Sequence, residues 1–249
     1  MKKYFVVGEN VGGSLLPFIF NHLFKKNNIN AEYIAIEKDK ASFPPFLIEC
    51  LSGEFSCINI AEPFSEMAKY LINDQPELQS VALVYSYENK VYGVNKALST
   101  VNNILKEKNL INGEGKKALV LGKSRDAEDV AKSLKDLGNY DVVMVGKDDT
   151  IDYSQQYVIV INATSDSEIL KKVDFSKLKG TKLAVDSIYS TEDSKFIVDA
   201  QKVNIESING LEFFAHWIEM SLFYILDRQK LEDASYIYKV LKDITRKED

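Results

Sequence analysis

The chain has 249 residues, 45% hydrophobic and 27% charged, which fits a soluble globular protein with chain enough for one large or two modest domains. Its 31 Lys and Arg against 37 Asp and Glu leave a net charge of −6, and the basic clusters are only pairs (Lys2-Lys3, Lys25-Lys26, Lys116-Lys117, Lys171-Lys172), which excludes a phosphate-tracking nucleic-acid surface. Cys50 and Cys57 form neither a zinc pattern nor a disulfide framework, and no apolar run reaches the roughly 18 residues of a membrane span, so the sequence predicts a cytoplasmic protein with reduced thiols and no membrane partner.

Taken in chain order, residues 3–7 are a short apolar run ending at Gly8 and read as a buried strand rather than a signal peptide. Residues 17–26 carry Phe18, Ile19, Leu23 and Phe24 at helical spacing, with Pro17 suited to a first turn. A strand over 31–36, a helix over 46–51 after Pro44-Pro45, a strand over 57–60 and a helix from Pro63 to 71 follow. This β-α-β-α-β-α series predicts a mainly parallel sheet covered by helices. Strands over 81–85 and 90–94 flank Glu88-Asn89 as a hairpin, and a polar helix spans 99–108. Residues 109–117, with Asn112-Gly113 and Gly115, form the candidate linker.

A second series follows, with strands over 118–121, 142–145, 157–161 and 183–185 and helices over 127–137 and 194–203. It reads as a doubly wound unit. Two amphipathic helices, over 211–226 and 231–245, close the chain. The predicted fold class is therefore α/β with two domains. A substrate-domain-like lobe takes 1–99 plus about 211–249, a Rossmann-like lobe takes about 100–210, and the C-terminal helices return to the first lobe. A small-molecule ligand is expected in the cleft between them, in a monomer or homodimer.

Six segments in one order resemble the shikimate dehydrogenase family. Gly8-Glu9-Asn10-Val11-Gly12-Gly13-Ser14-Leu15-Leu16-Pro17-Phe18 resembles its substrate loop, and Ile58-Asn59-Ile60-Ala61-Glu62-Pro63-Phe64-Ser65 its Asn-Val-Thr-x-Pro-(Phe/Tyr)-Lys segment. Tyr92-Gly93-Val94-Asn95-Lys96-Ala97 stands over its Gly-Asp-Asn-Thr-Asp-Gly segment, and Ile161-Asn162-Ala163-Thr164 over its Ile-Asn-Ala-Thr. Asp186-Ser187-Ile188-Tyr189 is similar to its Asp-x-x-Tyr strand end, and Asn209-Gly210-Leu211 opens its late helix. Together they span residues 4 to about 226.

The resemblance implies a catalytic lysine and aspartate beside the oxidised hydroxyl, because hydride departure from carbon needs a positioned proton acceptor. Those positions carry Ser65 and Ala97, neither of which supplies a proton-transfer group unaided. Lys96 and Lys69 are the candidate substitutes. The resemblance places the substrate cleft on Ser14, Leu16, Asn59, Ala61, Val81, Tyr189 and Trp217. Ser14 and Asn59 keep polar groups, whereas Leu16, Ala61, Val81 and Trp217 replace them. Unpaired polar groups in a closed site cost roughly 1–3 kcal/mol each, so a polyhydroxylated acid should bind poorly. Trp217 reads either as core packing or as a stacking surface.

Cofactor binding is expected on Gly122, Lys123, Ser124, Arg125, Lys147, Asn162, Ala163 and Thr164, with NADP or NAD bound weakly or not at all. Gly122 suits the tight turn after a strand, but Ser124 stands where a missing Cβ would admit a diphosphate, and Asp126, Glu128 and Asp129 oppose it. Lys147 is a weaker clamp for a 2′-phosphate than an arginine, and Asp148 or Asp149 should favour NAD. His22 and His216 lack a ligand cluster, so no metal is predicted. The expectation is a shikimate dehydrogenase-like protein of aromatic amino acid biosynthesis ancestry. It would have lost oxidoreduction and serve as a ligand-binding or regulatory pseudoenzyme. The alternative is an active NAD- or NADP-dependent oxidoreductase on shikimate, quinate or a less polar hydroxy acid, with a rearranged acid/base.

Overall fold

The computed structural model describes residues 1–52, 57–72, 78–88, 90–226 and 229–246. The chain divides into two compact units, Met1–Lys96 with Ile218–Asp233 and Ala97–Trp217 with Ala234–Asp249. Both are α/β, each built on a five-stranded sheet.

In the first unit, strands β1 (Lys2–Gly8), β2 (Ala31–Glu37), β3 (Cys57–Ile60), β4 (Leu83–Tyr87) and β5 (Lys90–Val94) lie in the order β2-β1-β3-β4-β5. β1 is parallel to β2 and β3, whereas β4 runs antiparallel to β3 and β5. Helix α1 (Leu15–Lys26) begins at Ser14, whose Oγ accepts the Leu16 N–H at 3.2 Å. Its Leu16, Ile19, Phe20, Leu23 and Phe24 form a buried stripe at helical spacing. Phe20 stacks on Tyr33 of β2 with centroids 4.4 Å apart. β2 is an edge strand, and Asn21 blunts that edge: its amide accepts the Tyr33 N–H and donates to the Tyr33 carbonyl, both at 2.8 Å. Helices α2 (Phe43–Ser52) and α3 (Ser65–Leu71) complete this part, with Phe43 stacked on Phe64 at 4.4 Å.

The second unit carries α4 (Lys96–Glu107, from Ala97 onward), β6 (Lys117–Leu121), α5 (Arg125–Asp136), β7 (Asp141–Val145), β8 (Tyr157–Asn162), α6 (Ser167–Leu170), β9 (Leu183–Asp186), α7 (Lys195–Lys202) and β10 (Glu206–Ile208). Its sheet is wholly parallel in the order β10-β9-β8-β6-β7. β6 lies between β7 and β8, so the strand order reverses there, and the carboxyl ends of β6 and β8 form the switch point where such sheets bind ligands. One face packs Ala118, Val120, Ile159, Ile161 and Val185 on Val101, Leu105, Val130 and Leu134; the other packs Leu119, Leu121 and Val160 on Phe175, Phe196 and Ile197.

Helix α8 (Gly210–Ile225) is divided between the units after Trp217, and α9 (Ala234–Thr245) groups with the second. The helix expected over 46–51 starts earlier, at Phe43, because prolines fit a first turn whose N–H groups have no helical partner. The strand expected over 81–85 is Leu83–Tyr87, and the Val81 N–H bonds the Ser65 carbonyl at 2.8 Å instead of joining the ladder. Glu88 of the expected hairpin turn has φ 50°, and Asn89 lies outside the described residues. The short α6 and β10 are too brief to show a period in the sequence.

Candidate functional site

Of the expected ligand residues in the first unit, Ser14 and Ala61 lie just after β1 and β3 on the segments leading into α1 and α3, Leu16 is in α1, Asn59 is in β3, and Val81 comes just before β4. Ser14 is half-buried and caps α1. Leu16 belongs to the buried stripe of that helix. Asn59 is buried: its Oδ1 accepts the Tyr33 hydroxyl at 2.7 Å, and its Nδ2 donates to Ser221 Oγ at 3.2 Å. Burial, with the Cys57 side chain beside it, holds the Tyr33 phenol well above its ordinary pKa, so Tyr33 stays a neutral donor. Asn59, Tyr33 and Ser221 thus form a closed internal network. Ala61 is half-buried and donates its N–H to the Val7 carbonyl at 2.9 Å, and Val81 is buried.

Ser65 is only 2% exposed, and its hydroxyl donates to the carboxylate of exposed Glu62. Ser65 is therefore tethered to an acid. No single residue signals this contact, although a carboxylate three positions before a helix-opening serine is its sequence trace. Lys69 is half-buried and holds its ammonium 5.6 Å from the ring centroid of Tyr70, which is 78% exposed. Lys96 is half-buried at the start of α4. Its neighbour Asn95 is buried and donates to the Ser80 carbonyl at 3.2 Å and to Ser80 Oγ at 3.0 Å.

In the second unit, Ala97 packs its methyl against the core that includes Val101 and Val130. The segment 122–127 after β6 meets Asn162-Ala163-Thr164 after β8. Gly122 has φ 114°, and a Cβ there would come 2.9 Å from the Ala163 carbonyl oxygen, so only glycine fits this turn. Ser124 caps α5, its Oγ accepting the Ala127 N–H at 3.4 Å. Asn162 is buried, its Oδ1 accepting the Thr164 N–H at 3.1 Å and its Nδ2 donating to Asp186 Oδ1 at 2.9 Å. Asp186 also accepts from Ser194 Oγ at 2.5 Å and the Ile188 N–H at 3.1 Å. Burial pushes its carboxyl above the ordinary range, and these bonds offset that only in part.

Lys123, Arg125 and Lys147 are exposed. Lys123 Nζ lies 2.7 Å from Asp149 Oδ2, the oxygen that also accepts the Gly146 N–H at 2.7 Å. Tyr189 is 46% exposed and meets Phe214 edge-on at 5.3 Å, while Trp217 is buried. Asn209, before α8, donates to Asp193 at 2.6 Å and to the Tyr238 hydroxyl at 3.1 Å. Among the described residues no helix is long and apolar enough to cross a membrane.

The family model described as the shikimate dehydrogenase substrate binding domain matches residues 6–81. The NADP-dependent shikimate dehydrogenase of Sulfolobus acidocaldarius is 29% identical over 234 residues, covering 85% of this chain and 84% of that protein. Among solved structures, the shikimate 5-dehydrogenase of Thermus thermophilus in complex with NADP(H) and shikimate superposes with a TM-score of 0.76 at 20% identity, covering 98% of this chain and 99% of that one. The 5-ketofructose reductase of Gluconobacter sp. strain CHM43 superposes with a TM-score of 0.79 at 14% identity, covering 98% of each. The structural likenesses concern the fold.

Proposed function

We propose, from the premise that this chain belongs to the shikimate dehydrogenase family, that it has lost shikimate oxidoreduction and serves as a small-molecule-binding or regulatory protein of the cytoplasm. One observation supports this reading: Ser65, at the position the resemblance gives the catalytic lysine, is buried with its hydroxyl bonded to Glu62, and Ala97, at the position it gives the aspartate, is half-buried against hydrophobic core. Oxidising a secondary alcohol moves a hydride to the cofactor and requires the hydroxyl proton to pass to a base. Serine serves as a base only when another group first takes its proton, and a methyl group cannot serve at all.

The ligand is expected at the carboxyl ends of β1 and β3, on Ser14 and Ala61, where the lining is less polar than a polyhydroxylated acid requires. Asn59 contributes to the interior of the first unit rather than to that ligand.

A second reading, an active oxidoreductase, draws support from the likeness to the Sulfolobus NADP-dependent enzyme and from the turn kept at Gly122. A nicotinamide dinucleotide, when bound, supplies the hydride acceptor. In this chain the loop 122–127 and Lys147 would hold its phosphates, with Thr164 beside the turn at Gly122. Ser124 already satisfies an N–H at the helix start, and Asp126 and Glu128 place negative charge there, so weak binding is expected.

The deciding experiment incubates the purified full chain with shikimate or quinate and NADP or NAD, following reduced nucleotide by absorbance. The loss-of-function reading expects background rates with every pair. Turnover at ordinary enzymatic rates, on the order of 1 s⁻¹ or faster, would replace it with the second reading.

A further inference from the structure

An open cavity of about 810 Å³ runs along the β2 edge of the first unit, a volume within the range of small-molecule sites. Helix α1 lends it Phe18, Asn21 and Lys25, and β2 lends it Glu32, Ile34 and Ala35. Because β1 and β2 are parallel, α1 runs back along β2 in the opposite sense. Phe18 therefore sits toward Ala35 and Lys25 toward Glu32, with the paired hydrogen bonds of Asn21 to the Tyr33 backbone fixing the register between them. The two ends of the groove differ in chemistry. At one end Phe18 is 56% exposed, although Phe20 and Phe24 of the same helix are buried. At the other, Lys25 is exposed and Glu32 half-buried, and among the described residues neither has an ion-pair partner. The adjacent Lys26 is paired with Glu232 at 2.6 Å. Glu32 thus keeps a carboxylate partly out of water with no cation on it, an arrangement that an incoming ammonium improves.

We propose that this groove binds a small zwitterion with an apolar side chain, a free α-amino acid. Lys25 takes its carboxylate, Glu32 takes its ammonium, and Phe18 with Ile34 covers the side chain. A cation and an anion at one end of the groove match a head group that carries both charges on one carbon. A purely anionic ligand would meet Glu32, a purely cationic one would meet Lys25, and a neutral one would leave both charges unmatched. The edge of β2 favours a short ligand over an added strand. Asn21 already occupies the outward N–H and carbonyl of Tyr33, so a strand could not pair past that residue. Ala35, two residues on, points its N–H and carbonyl the same way, off the sheet edge. The groove reaches the loop of Ser14 at one end but lies on the β2 side of β1, whereas Ala61 follows β3 on the other side. It is therefore a second ligand position, separate from the one proposed above.

The test is an amide NMR titration of the full chain with L-leucine, with 4-methylpentanoate, which lacks the ammonium, and with 3-methylbutylamine, which lacks the carboxylate. In the native protein leucine should shift the Ala35 amide and bind roughly fivefold tighter than either analogue, the effect of one ion pair at a partly exposed site. K25A should close the gap between leucine and 3-methylbutylamine, and E32Q the gap between leucine and 4-methylpentanoate. K26A should leave both gaps as they are. Equal affinity for the three compounds, gaps that K25A and E32Q leave unchanged, or binding of none of them would overturn the proposal. Shikimate turnover by the native protein would end the loss-of-function reading and leave this one standing.

Discussion

The carbonyl oxygen of Ile188 lies so close to Gly210 that a Cβ added there would sit 1.8 Å from it. The start of α8 is seated on the segment after β9 with no room for a side chain, and Phe214 and Tyr189 continue the contact edge-on. Both neighbours of the missing Cβ are backbone, the Ile188 carbonyl and the Ser190 nitrogen, so no rotamer change relieves the clash. Gly210→Ala should therefore destabilise the second unit by about 3 kcal/mol or more. Thermal unfolding should show the melting temperature lowered by roughly 6–12 °C. A variant melting with the native protein would mean that α8 is not seated this tightly.

Asn59 offers a different kind of test, because the family resemblance and the structure assign it different work. Its amide joins Tyr33 to Ser221 inside the first unit. Asn59→Ala leaves a buried phenol and a buried hydroxyl without that partner. The expected cost is about 2–4 kcal/mol in urea unfolding, one unmet group at each end. Tyr33→Phe should cost about 1–3 kcal/mol, since it strips one acceptor contact from Asn59. If Asn59→Ala instead weakens a ligand while leaving the unfolding midpoint unchanged, the residue faces the ligand after all.

These residues mark how far the sequence could be read. The α/β class and most strands follow from short apolar runs closed by glycine or proline, and the stripe Leu16, Ile19, Phe20, Leu23 and Phe24 gives α1 its period. The Gly122 turn is visible because a strand followed by glycine and a capping serine has few alternatives. What could not be read is where polar side chains spend their hydrogen bonds. Asn59 and Ser221 are 162 positions apart, and Lys123 and Asp149 meet only because parallel β6 and β7 align their carboxyl ends. Such pairings depend on strand register and helix docking, which local periodicity does not encode.

Asp186 gives a pH-dependent prediction. Burial raises its carboxyl above the ordinary range, although Ser194, Ile188 and Asn162 pull it down in part. Its ionised form is thus less favourable in the folded protein than in the unfolded chain. That deficit is absent below the unfolded carboxyl pKa, where both states are protonated, and develops as pH rises through the folded pKa. Asp186→Asn keeps an acceptor for Asn162 and the Ile188 N–H and removes the charge, with Ser194 Oγ turning from donor to acceptor. The melting temperature of the variant relative to native should be more favourable at about pH 7 than at about pH 3. A difference that stays constant over that range would show that Asp186 ionises as freely in the fold as outside it.

Ser65 and Lys69 separate structural from catalytic roles where the resemblance would put a catalytic lysine. Ser65 is buried and bonded to Glu62, and Lys69 sits over the exposed Tyr70 ring. Ser65→Ala should cost about 0.5–1.5 kcal/mol of stability, the net worth of one hydrogen bond. It should leave any nucleotide-dependent turnover unchanged within about twofold, because loss of a positioned acid/base would cost on the order of a hundredfold. Lys69→Ala should change neither stability nor turnover beyond about 0.5 kcal/mol and twofold, since its ammonium is engaged with the exposed Tyr70 ring. The decisive comparison is the pH profile of any residual rate in the native protein and in both variants. A profile that loses its acidic limb, the fall in rate as a base becomes protonated, only in Lys69→Ala would identify that lysine as the replacement base. It would also require the ammonium to leave Tyr70 when substrate binds.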